Sequence, residues 1–343
     1  MPSNPSVLVY GAYGHTGRFV VSALRERGFM PILSGRDADK LNALAARHAG
    51  LEVRPASVDE AASLDRALTS AAAVINCAGP FASTAAPLIE AALRARIPYL
   101  DIAAEVEANI DTFAHFDARA REAGVAVVHA VAFYGGLGDL LATAAMGDWD
   151  SADEISIAYG LDSWLPTPGT LVAGQVSRQR RDGRRVVFAN GKISYVTGPA
   201  PTAEWTFPAP LGTQPVIAEF TMADSVTIAR HLKVPEIRSY MTAVAVKDLS
   251  APGQEAPKAS DESGRSSQTF VVEVVVRRGS ERRTAAASGR DIYAFSAPLV
   301  VEALARVLGG DARAGGVFTA GEAFDAKDFL ASLSPAHLSF ALG

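Results

Sequence analysis

The stretch "VLVYGAYGHTGRFVVSALRERGF", beginning at Val7, constrains this chain more than any other. Four apolar residues run into Gly11, Gly14 and Gly17, each three residues from the next, and an amphipathic pattern follows. Ser6–Tyr10 reads as a strand. A helix follows from about Gly17 to Arg27, stopped by Gly28, with Phe19, Val20, Ala23 and Leu24 on one face. Glycine lowers both strand and helix propensity, so its use at this junction needs another reason. Gly11 can make the tight turn, Gly14 can let a pyrophosphate approach the backbone, and Gly17 can let helix and strand pack closely. The helix N-terminus then offers free N–H groups to the phosphates. The spacing G-x-x-G-x-x-G is a variant of the dinucleotide fingerprint, and Tyr13, His15 and Thr16 join the glycines as expected cofactor contacts.

The alternation continues. "PILSG" (Pro31–Gly35) leads into a helix carrying Leu41, Leu44, Ala45 and His48. "LEVRP", "AAVINCAG", "PYLDIA" and "VAVVHAVAF" read as strands, with helices after Asp59, Thr84 and Glu105. Apolar strands alternating with helices predict an α/β fold, a Rossmann-type doubly wound parallel sheet covered on both faces. After Asp148 the texture changes. "EISIAYGL", "RRVVFA", "KISYVTG", "ADSVTIAR", "IRSYMTAVAV", "QTFVVEVVVRR" and "RRTAAASGRD" are β-branched and partly alternating, which predicts a second α+β domain on a largely antiparallel sheet. Ser250–Ser267 reads as a mobile polar loop, and the tail is helical again. The expected domains are 1–147 for the dinucleotide, completed by helices in 291–343, and 148–290 for substrate and dimerisation.

A formal charge of −5 gives no electrostatic reason to expect nucleic acid or an anionic membrane as partner. The single cysteine, Cys77, cannot form an internal disulfide. The six histidines are scattered outside any zinc-binding motif, so no metal and a reducing compartment are expected. "MPSNPS" lacks a basic n-region, and the apolar run from Gly124 is broken by His129, Asp139 and glycines. The expectation is a cytoplasmic protein without a membrane span.

The end of the second strand discriminates between cofactors. An NAD site usually carries Asp or Glu there for the ribose hydroxyls, whereas this chain has Gly35 and Arg36, with Lys40 one turn later. Arg36 could stack on adenine and pair with a 2′-phosphate, which favours NADP over NAD. Asp37 leaves the alternative open: it either caps the next helix or holds an NAD ribose. In "VINCAGPF", Asn76, Cys77, Ala78, Gly79 and Pro80 are expected to line the ribose and nicotinamide side, with Cys77 as a packing residue more than a nucleophile.

The fifth strand's end brings Asp101 and Glu105 towards the nicotinamide, as proton donor or amine anchor, or else as ribose, backbone or helix-dipole partners. Tyr134 is a candidate general acid or an aromatic wall. Phe133, Tyr134 and Thr170 are the candidate substrate contacts. His129 reads as a core histidine. Arg178 or Arg181 either clamps a substrate carboxylate or belongs to a solvated charge run in a turn, and Trp164 and Trp205 either line a pocket or pack the second sheet. No tyrosine is followed by lysine four residues later, so the acid pair of short-chain dehydrogenases is missing.

"VLVYGAYGHTGRFV", "SGRDADKL", "VINCAGPF" and "YLDIAAE" together resemble the saccharopine dehydrogenase (saccharopine reductase-like) superfamily, in which these segments form the NADP-binding domain. "AFYGGLGDLLA" keeps the family's Asp as Asp139, while its Asp-Ser-x-Pro part has become Tyr-Gly-Gly-Leu-Gly. "PTPGTLVAG" is similar to the Ser-Gly-Gly-Thr stretch of the trans-acting enoyl reductase-like branch, and "GGVFTAGEAF" to the family's closing segment. The resemblance implies an NADPH-dependent oxidoreductase, homodimeric, reducing a C=N, activated C=C or C=O bond of a small molecule. The alternative is a non-catalytic NADP-binding sensor or scaffold, for which the altered Asp-Ser-x-Pro segment leaves room.

Overall fold

The computed structural model describes residues 4–48, 50–253, 255–313 and 315–343. Its first part alternates strands and helices: β1 (Ser6–Tyr10), α1 (His15–Glu26), β2 (Met30–Gly35), α2 (Ala38–Ala45), β3 (Glu52–Pro55), α3 (Ala61–Ala67), β4 (Ala73–Asn76), α4 (Phe81–Ala95), β5 (Tyr99–Asp101), α5 (Val106–Ala123), β6 (Ala126–Val128) and α6 (Gly138–Met146). The second part holds β7 (Glu154–Leu161), α7 (Pro168–Arg180), β8 (Arg185–Ala189), β9 (Lys192–Val196), β10 (Thr202–Thr206), β11 (Thr213–Ala218), α8 (Asp224–Thr227), β12 (Glu236–Thr242), α9 (Ala243–Ser250), β13 (Thr269–Arg278) and β14 (Glu281–Arg290). The tail adds α10 (Ile292–Gly309), β15 (Gly316–Phe318), α11 (Ala320–Ala323), α12 (Ala326–Leu333) and β16 (Leu338–Leu342).

The first sheet has seven strands in the order β15-β6-β5-β4-β1-β2-β3, all parallel. The strand order reverses between β1 and β4. In doubly wound sheets that is where the crevice for a ligand opens, at the carboxyl ends of the strands. The second sheet, β10-β11-β12-β7-β13-β14-β16 with β8 and β9 attached, is mixed: β7 and β12 run parallel and the other pairs antiparallel. The tail serves both sheets. β15 extends the first, but β16 pairs with β14 of the second, where the sequence reading assigned all of 291–343 to the dinucleotide domain.

One apolar core joins the two parts. Val9 and Ile75 of the first sheet, Leu140 and Leu141 of α6, and Val272 and Val274 of the second belong to a single buried cluster. α6 therefore acts as a shared layer between sheets, which explains why it is buried on nearly every side. α10 packs along α1. By length and composition α10 could cross a membrane, yet 67% of it lies buried inside the fold.

Three segments depart from the reading of the sequence. "ADSVTIAR" is helical (Asp224–Thr227, then a 3-10 turn over Ile228–Arg230), and "IRSYMTAVAV" ends its strand at Thr242 and continues as α9. Burial of all four residues of Asp224–Thr227 outweighs the weak strand preference of β-branched residues there, whereas α9 buries only Ala245. Ser177–Arg180 of the basic run form the end of α7 rather than a turn. Ser250–Ser267, of which Gln254 lies outside the described residues, is largely irregular beyond the end of α9.

Candidate active site

The glycine turn builds a bare cradle. Gly11 has φ +81°, a left-handed conformation, and its N–H donates to Ser34 O across the sheet at 2.8 Å. A Cβ at Gly17 would run into the Gly11 carbonyl oxygen, so only glycine lets α1 start this close to β1. Gly14 is the N-cap of α1, without a side-chain cap, and the first helical bond runs from Arg18 N–H to Gly14 O at 3.1 Å. The amides of His15, Thr16 and Gly17 precede that bond and point out of the helix end. The first turn carries no acidic side chain. These are the conditions for a bound diphosphate.

At the adenosine end, Asp37 accepts from Lys40 N–H at 3.1 Å as the N-cap of α2 and pairs with Lys40 Nζ at 2.9 Å. Its carboxylate is committed to the helix, which favours the capping alternative. The Lys40 hydrogen bond holds its pKa below the usual carboxylate range. Arg36 is exposed and has no ion pair among the described residues. Lys40 Nζ also lies 5.7 Å from the centre of the Tyr13 ring, which in turn lies close over Gly35.

Under the crevice runs a buried polar chain. Asn76 Nδ2 donates to Thr84 Oγ1 and to Tyr99 OH, each at 3.1 Å, and its Oδ1 accepts from Ala78 N–H at 3.0 Å. Tyr99 OH donates to Asp101 Oδ2 at 2.9 Å, while Asp101 Oδ1 takes the N–H groups of Ala103 at 3.1 Å and Ala130 at 2.7 Å. Ala130 has φ +57°, costing about 1–2 kcal/mol. A charge-assisted hydrogen bond of ~1.5–3 kcal/mol offsets that cost. Asn76 and Asp101 thus brace the loops after β4, β5 and β6, and burial lifts the Asp101 pKa to about 6. Glu105 is also a brace: its two oxygens accept from Phe81 N–H at 2.6 Å and Ala82 N–H at 3.0 Å, at the N-terminus of α4. Its pKa is raised by burial, against those two hydrogen bonds. Asp101 and Glu105 thus take the backbone and helix-dipole roles that the sequence left open beside proton donation, and Asn76 spends its amide on Thr84, Tyr99 and Ala78.

Cys77, Ala78, Gly79 and Pro80 form the loop facing the glycine turn, and a Cβ at Gly11 would come within 2.9 Å of Ala78 Cβ. Burial, then the Asp101 charge, push the Cys77 thiol far up, which leaves it a packing group. Across this loop lies α7, close enough that a Cβ on Gly79 would stand 3.6 Å from Ala173 Cβ.

From the cradle a line of aromatic and polar groups crosses to the second sheet. His15 meets Tyr293 edge-on at 5.2 Å between ring centres. Tyr293 OH accepts from Trp164 Nε1 at 3.2 Å and lies 3.0 Å from Thr170 Oγ1. Trp164 stands 4.9 Å from Tyr134, and Tyr134 stands 5.2 Å from Tyr159. Tyr159 OH donates to Asp224 Oδ1 at 2.8 Å, at the start of α6, where a Cβ on Gly138 would collide with that carboxylate. Three buried polar atoms along this line have no protein partner: His15 Nε2, Tyr134 OH and Asp224 Oδ2. Such atoms are rare in native proteins and mark places where a ligand or water completes the bonding.

The loop after β6 is what aims Tyr134. Tyr134 is extended (φ −92°, ψ 131°) and Gly135 turns left-handed (φ +89°), a kink that only glycine makes cheaply with Ala130 and Ala223 packed beside it. Burial, then Tyr293 and Asp224, raise the Tyr134 pKa, and burial lifts Asp224 to about 6. Burial lowers the His15 pKa, so its ring is neutral.

Thr170 and Trp164 are hydrogen-bonded to Tyr293, whereas Phe133 lies behind Tyr134. Phe133 is 2% exposed and packed among Tyr159, Phe270 and Phe295, a core residue. The basic run is spent on structure: Arg180 pairs with Asp111 at 2.7 Å, Arg181 with Ser177 and Glu107, and Arg185 with Glu219. Arg178 is exposed. Trp205 donates to Glu273 at 2.8 Å and stacks near Tyr240 on the second sheet. His129 sits in the core, Nδ1 at 2.9 Å from Asn109 Oδ1, and burial drops its pKa to about 3. Sequence reasoning missed Tyr159, Asp224 and Tyr293. Asp224 was hidden inside the segment read as a strand, and Tyr293 follows a recognisable helix cap, Asp291, whose carboxylate accepts from Tyr293 N–H at 3.0 Å.

Residues 7–128 match the family model described as the saccharopine dehydrogenase NADP binding domain. No curated protein matches the chain. Among solved structures, apo histidine-tagged saccharopine dehydrogenase (L-Glu forming) from Saccharomyces cerevisiae is similar over 99% of this chain and 100% of that one, with a TM-score of 0.67 and 12% identity. A short-chain dehydrogenase/reductase from Vibrio parahaemolyticus is similar over 36% of this chain and 76% of that one, with a TM-score of 0.32 and 10% identity. Residues 7–128 are accordingly a saccharopine dehydrogenase-type NADP-binding domain, and the chain has the fold of saccharopine dehydrogenase along its length.

Proposed function

We propose that the protein is an NADPH-dependent reductase acting on a C=N, activated C=C or C=O bond of a small molecule. One observation carries the reading: a partnerless buried hydroxyl, Tyr134 OH, lies along the same line of residues that begins at the bare amide cradle of α1. In this reading the amides of His15, Thr16 and Gly17 hold the diphosphate, and Arg36, with Lys40, takes the 2′-phosphate. Ala78, Gly79 and Pro80 floor the nicotinamide side. NADPH, when bound, supplies the hydride.

The protein's own part is position and a proton. Tyr134 stays protonated at neutral pH, because burial and its acidic neighbours disfavour the phenolate. A substrate heteroatom or carbanion beside it would accept that O–H, recovering the ~1–3 kcal/mol that an unmade buried hydrogen bond costs. The phenolate left behind is too costly to persist, so its proton must be replaced; Asp224, which Tyr159 holds at 2.8 Å, has no direct hydrogen bond to Tyr134 and would supply it through an intervening water. Trp164, Thr170 and Tyr293 shape the wall opposite. The test is loss of nicotinamide absorbance on mixing protein, NADPH and a panel of imines, enones, keto acids and aldehydes. Tight NADPH binding without turnover across the panel would favour a non-catalytic sensor instead.

A further inference from the structure

A cavity of about 100 Å³ opens between α1, α10, the segment before β13 and the residue preceding β16. Its apolar walls are Phe19, Ala23, Ala297 and Val301, and its polar groups are Ser22, Arg265 and His337, with Glu26 and Arg27 also lining it. Arg265 is half-buried and its guanidinium has no hydrogen bond or ion pair among the described residues. His337 Nδ1 is buried without a partner. Arg27 is engaged elsewhere, 2.7 Å from Glu302, while Glu26 is exposed and can turn to water. An uncommitted guanidinium and an unsatisfied imidazole nitrogen therefore line the same small cavity, both able to donate.

We propose that this cavity is a binding site for a small oxyanion of the phosphate class, held by Arg265 and His337 against α1. A guanidinium fork matches two oxygens of such an ion, and the imidazole N–H and the Ser22 hydroxyl supply further donors. A cavity of about 100 Å³ has room for a compact ion. Burial lowers the His337 pKa, and Arg265 lowers it further; Glu26 raises it and Arg27 lowers it. An anion between Arg265 and His337 would add an upward pull, so binding draws a proton onto His337 and strengthens as the pH falls. The cavity lies one aromatic contact from the cradle. Phe19 lines the cavity and meets His15 edge-on at 5.5 Å, so an ion here fixes the helix whose N-terminus carries the cradle.

The experiment is thermal unfolding of the full chain in a zwitterionic buffer with phosphate, sulfate or chloride at matched ionic strength. Phosphate and sulfate should raise Tm above chloride, and Arg265→Gln should remove at least four-fifths of the difference. Oxyanion binding at the cofactor cradle would survive in Arg265→Gln, so a shift that persists there overturns the proposal, as does equality with chloride. A glycerol phosphate arm tells a free ion from the phosphate end of a larger molecule: a shift as large as phosphate gives assigns the site to a phosphate monoester, and none assigns it to the free ion. If Arg265→Gln does not fold, the proton resonance of the His337 ring, assigned by its loss in His337→Gln, replaces it. That resonance should titrate at least half a pH unit higher in phosphate than in chloride, and an unchanged titration overturns the proposal.

Discussion

A methyl group added at Gly17 would run into the Gly11 carbonyl oxygen and come within 3.1 Å of the Ala12 backbone. Neither obstacle is a side chain that can rotate away, so Gly17→Ala must move the first turn of α1 off β1. Overpacking of this kind costs about 1–3 kcal/mol in stability. The same movement displaces the His15, Thr16 and Gly17 amides from a diphosphate. Losing one charge-assisted hydrogen bond is ~1.5–3 kcal/mol, which raises the Kd for NADPH about 10- to 150-fold. Gly28→Ala is the matched control. Gly28 is also left-handed (φ +80°) but has nothing within 4 Å of its Cβ position, at the other end of the same helix. It should lose ~1–2 kcal/mol of stability with its NADPH affinity intact. Urea unfolding and calorimetric titration of both variants give the four numbers needed. If Gly17→Ala binds NADPH within twofold of the wild type, or if both variants weaken binding alike, the cradle is not where the diphosphate sits.

Four further outcomes follow from the geometry. Arg36→Glu should weaken NADPH ~10- to 150-fold more than NADH, since it removes one charge-assisted contact to the 2′-phosphate; equal losses would refute that role for Arg36. Tyr134→Phe removes a hydroxyl without a protein partner, so it should lower single-turnover reduction ~100- to 10,000-fold without lowering Tm; unchanged turnover would leave Tyr134 a mere wall. The Asp224 pKa is lifted by burial from 3.8 to about 6. Its acid form is needed to reprotonate Tyr134, so reduction should be flat below pH ~6 and fall tenfold per unit above it, and Asp224→Asn should lose that break. The sign for stability follows from the raised folded-state pKa: ionised Asp224 destabilises the fold above about pH 6, and the penalty is relieved as pH falls towards 4. With a shift of this size, Asp224→Asn should be the more stable protein at pH 7.5, by up to about 3 kcal/mol, with the gap closing in acid.

Much of the fold was legible because its signals are local. A strand running into Gly11 and a helix halted at Gly28 are written in adjacent residues, and the strand boundaries at Ser6–Tyr10 and Glu154–Leu161 coincide with the apolar runs. The cradle and the bare position at Arg36 were legible for the same reason. The carboxylates were not. The sequence placed Asp101 and Glu105 at a strand's end, but the amides they serve belong to Ala130 and Phe81, 29 and 24 residues away. Asp224 eluded a reading by periodicity because Val226, Thr227 and Ile228 look like a strand, while the packing of the segment against α6 and β12 makes it a helix. Tyr293 reaches Thr170 and Trp164 across 123 and 129 residues, a meeting that no local pattern records. Phe133 and Tyr134 are neighbours in the chain with opposite fates, and the kink at Gly135 separates them.

Calorimetric titration of the pure wild-type protein with NADPH tests the central claim most directly. The account predicts one saturable site per chain, weakened about 10- to 150-fold when Gly17 carries a methyl group. Heats of dilution alone, at protein concentrations well above any working Kd, would contradict it.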